Sequence, residues 1–392
     1  MLDQAVEARV NESDDLDWKS ELPPQSGLAQ TDVPKDIAAM ANSGGGMIVY
    51  GVTEDQKAAT GRQDTGDFTE DHERTYRRVA ITAITPPVFG LQVHRLGTDT
   101  RAVAVAVPAS VDGPHLIYKN DYFGAPVRNH ADTEWMKERQ IEAMYRARFD
   151  EQRRSTEAID ALYAEAAAGR DTANRAWLVA VAHPRIPGAL ARPTREEAVK
   201  VFQQALATSL VYCDSSCVHP LERVVLNNPR PGLRRWVAPS TAEMPWRESW
   251  VSAHHDGSVT LVTAVGGQMK FDGSYFEGRQ VQGRVVEAAV ADFTALIRAA
   301  AAALGHGEYD VRVGIEWAGE QSLAVLTVDA SGWTYDGVST PLSSYTPVRS
   351  TINAAGSDAE FHRQVYELAQ DCVNQGGITY MHGIKQPPKD DA

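Results

Sequence analysis

Residues 36–55 read DIAAMANSGGGMIVYGVTED, and the order of their parts sets the N-terminal fold. Thr31 and Asp32 stand where an N-cap is wanted and Pro34 lies in the first turn. Ile37, Met40 and Ala41 then form a helical stripe that stops at the glycine run 44–46. Met47 to Val52 follows as a continuous β-type run, with Glu54 and Asp55 at its exit. A nucleotide cradle needs the opposite polarity, strand then glycine loop then helix, so that N–H groups and the helix dipole face phosphate. Here the glycines follow a helix, and no G-x4-G-K-[ST] occurs, so Ser43 to Gly46 reads as a helix C-cap and tight turn.

Upstream, Leu16 to Leu22 alternates, with Leu16, Trp18 and Leu22 on one side and Asp17, Lys19 and Glu21 on the other, which predicts a half-buried strand. Asp17 and Lys19 project together because side chains alternate with period two. With Glu12 they form the pattern E-x4-D-x-K. If this strand lies beside Met47–Val52, Glu12 and Asp17 converge with the acid pair Glu54 and Asp55 next to Lys19. Carboxylate oxygens of that kind suit a hard divalent cation, Mg²⁺ or Mn²⁺. Such an ion polarises a phosphodiester and generates hydroxide, while the lysine offsets charge developing on phosphorus. The same spacing also fits acids on a solvated surface beside an unrelated lysine.

Downstream, Thr75 to Ile84, with Arg77 and Arg78, fits a helix that stops at Pro86 and Pro87. Val88–Arg95 and Arg101–Val107 read as paired strands. Lys119 to Arg128 is a loop or short strand, and Asp132 to about Ala168 has long helical character. Arg139, Arg146 and Arg153 recur every seven residues there, either as a solvated helix face or as a stripe that contacts phosphate. A second domain follows, with strands at Trp177–Ala182, Ser249–Ala253, Ser258–Val265, Asp310–Trp317 and Leu323–Val328. Its helices are expected at Arg195–Leu210, Val285–Leu304 and Asp358–Asn374, a mixed α+β pattern.

The 392 residues exceed what one hydrophobic core usually serves, roughly 250–300, which predicts two domains, 1–150 and 151–392. The formal charge of −14 divides as −8 over residues 1–150 and −6 over the rest. This excludes duplex binding by bulk charge and leaves a local patch, with metal ions, to hold any polyanion. The apolar stretch Phe293–Leu304 is broken by Arg298 and falls short of the ~20 residues needed to span a bilayer, so no membrane partner is expected. Met1 to Asn11 has no apolar core of a secretory signal, and three cysteines do not build a disulfide framework, so a cytoplasmic location is expected. Cys213, Cys217 and His219 form C-x3-C-x-H, which with His183, His254 or Cys372 fits a zinc site or, equally, buried thiols. His254 to Gly257 has the composition of a hairpin turn. Trp236, Trp246, Trp250, Tyr275 and Phe276 fit core packing, with base or ligand stacking as the alternative.

Taken together, NESDDLDWK at 11–19, the tract at 36–55 and DYFGAPVRNHADTEWM at 121–136 resemble the Schlafen-core, or AlbA-type, nucleic-acid-binding domain family over the first 150 residues or so. The resemblance implies an N-terminal mixed-sheet α+β domain and a metal-dependent endoribonuclease that cleaves structured RNA such as tRNA, in some bacterial members as anti-phage defence. It places Glu12, Asp17 and Asp55, or Glu54, at the three acids and Lys19 at the lysine. Arg128 falls at an arginine that holds phosphate. Arg77, Arg78, Arg139 and Arg146 complete the basic candidates for RNA or single-stranded nucleic acid, and a homodimer is expected. Asp17 stands where the family has glutamate, one methylene shorter, and residues 1–150 contain no cysteine for the zinc site of the family's animal members. The alternative is a non-catalytic nucleic-acid-binding module or transcriptional regulator.

Overall fold

Strand β1 (Leu16–Lys19) pairs in parallel with β2 (Gly46–Tyr50), setting Asp17 opposite Ile48 and Lys19 opposite Tyr50. The computed structural model describes residues 2–119, 122–186, 192–318, 321–328, 333–335 and 339–388. The chain is α+β and divides into two units, Met1–Arg153 and Arg154–Ala392.

In the first unit, α1 (Val33–Asn42) precedes β2, and Gly51, at φ +95°, breaks the expected MIVYGV run after Tyr50. A Cβ on Gly51 would lie 2.9 Å from the Gln63 carbonyl oxygen, so the chain kinks there into β3 (Val52–Asp55) and its hairpin partner β4 (Ala58–Arg62). Helix α2 (Glu70–Thr82) starts earlier than the apolar spacing predicts. Thr69 caps it by accepting from the His72 amide, and Glu70, Asp71 and Glu73 complement its dipole. Strands β5 (Gln92–Leu96) and β6 (Ala102–Val107) complete a four-stranded sheet in the order β1-β2-β6-β5. One face of it packs Ile48, Tyr50, Val103 and Val105 against Ile37 and Met40 of α1 and Tyr76 and Val79 of α2. Full burial of side chains of this size is worth about 1.5–3 kcal/mol each. The other face gathers Trp18, Val49 and Ala104.

Where a loop or short strand and then a helix are expected, two hairpins form: β7 (Leu116–Lys119) with β8 (Tyr122–Gly124), and β9 (Pro126–Asn129) with β10 (Asp132–Trp135). Asn120 and Asp121 lie outside the described residues. The second hairpin turns at His130, φ +55°, and the alternation of DTEW then competes successfully with helix. Helix α3 therefore begins only at Glu138 and runs to Ala167.

In the second unit, a seven-stranded antiparallel sheet is built around β11 (Trp177–Pro184). Helix α4 (Arg195–Tyr212) opens with a complete capping box between Thr194 and Glu197. The edge of the sheet follows as β12 (Arg230–Gly232), β13 (Arg235–Ala238), β14 (Ser249–His254) and β15 (Val259–Ala264), which pairs with β11. After α5 (Gly283–Leu304), β16 (Glu308–Glu316) pairs with the other side of β11 and β17 (Val348–Asn353) lies at the far edge. Helix α6 (Asp358–Asn374) falls where the sequence places it. The face carrying Leu178 and Ala180 joins one core with α4, α5 and α6. On the opposite face Ile159 and Tyr163 of α3 pack on Trp177, Val179, Val181 and Val262.

Candidate functional site

Asp17 and Lys19 share the α1 side of β1, as the period-two spacing predicts, and the Lys19 Nζ lies 2.8 Å from Asp17 Oδ2 and 3.8 Å from Asp36 Oδ2. Glu12 sits in the turn before the strand. Its Oε1 accepts from the Trp18 amide at 3.0 Å, and its own amide donates to the Lys57 carbonyl at 2.8 Å. The β3–β4 hairpin turns tightly at Gln56 and Lys57, both with positive φ, and the turn brings Lys57 Nζ to 3.4 Å from Glu12 Oε2.

Arg128 enters from β9. Helix α1 ends in Asn42 and Ser43, and these two hold the strand in place. Asn42 Nδ2 donates to the Pro126 and His115 carbonyls at 2.7 and 3.0 Å, and Ser43 Oγ accepts the Arg128 amide at 2.9 Å. The guanidinium then donates to Asp17 Oδ1 at 3.1 Å and to the Ser13 carbonyl at 3.2 Å, and lies 3.9 Å from Glu12 Oε2. Arg128 is buried, so it orients Asp17 and does not stand open to a phosphate as expected.

The carboxylates are nearly closed off, with side chains 2% exposed at Glu12 and 3% at Asp17. On each, one buried oxygen, Glu12 Oε2 or Asp17 Oδ2, is met only by ionic contacts, the nearest from Lys57 at 3.4 Å and from Lys19 at 2.8 Å, and by no further hydrogen bond. Burial, and then the charge of Asp17, push Glu12 up to about 7. Burial likewise raises Asp36 to about 6 against the pull of Lys19. Burial opposes the charge on Lys19, but Asp36 and Asp17 outweigh it and hold the ammonium above its ordinary value.

The acid that acts on Glu12 from the β3 exit is Glu54. Asp55 is exposed at the end of the strand, opposite Ala58. Asp36 and Lys57 were not singled out by spacing. The signal for Asp36 was an acid inside the apolar stripe of a buried helix, and Lys57 becomes part of the site only through the turn. Among the other basic candidates, Arg77 pairs with Glu73 at 3.0 Å and Arg146 with Glu142 at 2.5 Å, while Arg78 and Arg139 are exposed. Arg153 pairs with Asp150 at 3.1 Å, so the heptad stripe is largely neutralised by acids of its own helix.

Among the described residues no three His, Cys, Asp or Glu side chains are grouped to hold a metal ion. The expected three-carboxylate cage is therefore a pair, Glu12 and Asp17, each with one oxygen held only by ionic contacts. A pair fits Mg²⁺, which is commonly held by one or two carboxylates with water and substrate phosphates completing its shell. The zinc reading of the second unit does not fit. His219 spends Nδ1 on Asp292 at 2.7 Å and Nε2 on the Asp214 carbonyl at 3.1 Å, and His183 Nδ1 lies 2.8 Å from Ser258 Oγ. The second-unit aromatics pack: Phe276 is buried, Trp236 Nε1 donates to the Pro193 carbonyl, and Trp246 lies edge-on to Tyr275 at 6.1 Å.

No described helix is long and apolar enough to cross a membrane. Residues 12–137 match the family model described as Schlafen, AlbA_2. No curated protein matches. Among solved structures, the DIP2311 protein from Corynebacterium diphtheriae is similar at 13% identity and a TM-score of 0.26 over 53% of this chain, and the chain spans 34% of that protein's length.

Proposed function

We propose, taking the Schlafen AlbA_2 domain at residues 12–137 as the premise, that the first unit binds nucleic acid and cleaves RNA at the Glu12–Asp17 cluster. The observation that carries this reading is the joint burial of two carboxylates, each with one oxygen met only by ionic contacts, beside two lysines that reach solvent. The family is a nucleic-acid-binding one. Structured RNA such as tRNA is the substrate class that the sequence resemblance implies, and pairing of two chains would widen the groove.

Bound Mg²⁺ or Mn²⁺ would polarise the phosphodiester and lower the pKa of a water, held by Glu12 Oε2 and Asp17 Oδ2. Lys19 and Lys57, with side chains 37% and 45% exposed, meet phosphate oxygens and offset the charge that develops on phosphorus. Arg128 fixes the direction of Asp17.

A non-catalytic binding module is the second reading, favoured by the near-complete closure of both carboxylates. Incubation of the full chain with tRNA, total RNA and single-stranded DNA in Mg²⁺ or Mn²⁺ separates the two. Cleavage that is lost in Glu12→Ala plus Asp17→Ala while gel-shift binding persists supports the nuclease. Binding without cleavage by the wild type supports the module.

A further inference from the structure

The second unit holds a feature that the cluster above does not use. The part of α3 beyond residue 154 covers the sheet over β11 and β15. Beside it, over β13, β14 and β15, lies a cavity of about 200 Å³. Ser252 and Thr260, partners across β14 and β15, line it together with Trp250, Arg170, Arg235 and Glu165.

The two guanidinium groups there are unequally paired. The Arg170 guanidinium stacks between Trp250 and Trp177, 5.6 and 5.7 Å from their ring centres, and spends Nε on the Ala166 carbonyl at 3.3 Å. Its nearest carboxylate oxygen is Glu248 Oε1 at 4.0 Å, and that oxygen already accepts from Trp250 Nε1 at 2.7 Å. Burial pushes Arg170 below its ordinary value. Arg235 donates to Glu165 Oε1 at 2.6 Å and leaves its buried Nε without a partner. Ser252 and Thr260 add hydroxyl side chains to the same lining. Two guanidinium groups thus face one carboxylate in direct hydrogen bond and a second only at 4.0 Å, beside two hydroxyl side chains and a flat indole.

We propose that this cavity binds a small oxyanion, carboxylate or phosphate, carried on a planar group that lies against Trp250. A guanidinium matches either oxyanion in a two-pronged bond, and the partly desolvated setting strengthens it. The indole face suits a ring. The cavity is smaller than the roughly 300–1,000 Å³ usual for drug-sized ligands, which limits the occupant to about one ring and its anionic group.

Calorimetric titration of the full chain with benzoate, phenyl phosphate, inorganic phosphate and benzamidinium tests this. The expected result is binding of benzoate or phenyl phosphate, the stronger one naming the oxyanion, and no binding of the cation. Arg170→Gln should weaken that binding at least tenfold, and Trp250→Leu should weaken the ring-bearing ligands only. If Arg170→Gln fails to fold, Ser252→Ala, which keeps the guanidinium stack, should still weaken binding several-fold. The proposal is overturned if neither ring-bearing anion binds, if benzamidinium binds equally, or if Arg170→Gln binds as the wild type does. Inorganic phosphate binding as tightly as phenyl phosphate overturns the planar group.

Discussion

Arg128 and Asp17, 111 residues apart in the chain, meet at 3.1 Å with both side chains 3% exposed. A pair this deep is held by geometry, since desolvation offsets most of its Coulombic gain. Arg128→Ala leaves the buried Asp17 with Lys19 as its remaining ion-pair partner and should cost about 2–3 kcal/mol in urea unfolding. Asp17→Asn in that background should recover part of the loss, because the buried charge that Lys19 alone then balances is gone.

Glu12 makes the first unit sensitive to pH. A carboxyl raised from 4.5 to about 7 binds its proton more tightly in the folded state, so its contribution to stability is full below pH 4.5 and is lost as pH rises through 7. At about 1.4 kcal/mol per pK unit the loss is on the order of 3 kcal/mol. Asp36, raised to about 6, adds in the same direction. Urea midpoints at pH 5 and pH 8 should differ in that sense for the wild type, and Glu12→Gln should flatten most of the difference.

Asn42 is a clamp whose removal should be felt at a distance. Asn42→Ala strips partners from the His115 and Pro126 carbonyls and from the His115 amide, which bonds Asn42 Oδ1 at 2.7 Å. The cost should be at least about 2 kcal/mol. Amide exchange should accelerate in β9 before it does in β2.

His219 gives the second unit a pH dependence of the same sign, displaced to higher pH. Burial alone would lower it, but the hydrogen bond and charge of Asp292 prevail and raise it from 6.5 to about 9. Its contribution is therefore full below pH 6.5 and lost as pH rises through 9, on the order of 3 kcal/mol. Because both ring nitrogens are committed to protein partners, chelation with EDTA should leave the melting of this unit unchanged.

The helix-glycine-strand order at 33–50, the shared face of Asp17 and Lys19, and the major elements of the second unit were legible because local period and capping agree with the tertiary fold. The hairpin at 126–135 was not. DTEW alternates for only four residues, too few to outweigh the helical signal that follows. At the site, Glu12, Asp17 and Lys19 could be singled out from spacing, whereas the choice between Glu54 and Asp55 depends on an irregular register between Thr53 and Glu54 that no sequence pattern carries. Arg128 could be found but not its burial, since its environment is made by Asn42 and Ser43 at the end of another element.

Electron paramagnetic resonance of Mn²⁺ titrated into the full chain tests most directly whether Glu12 Oε2 and Asp17 Oδ2 take up an ion. The account predicts one bound ion per chain in the wild type, lost in Glu12→Gln plus Asp17→Asn. A wild type that binds no Mn²⁺, or a double variant that binds it undiminished, would contradict it.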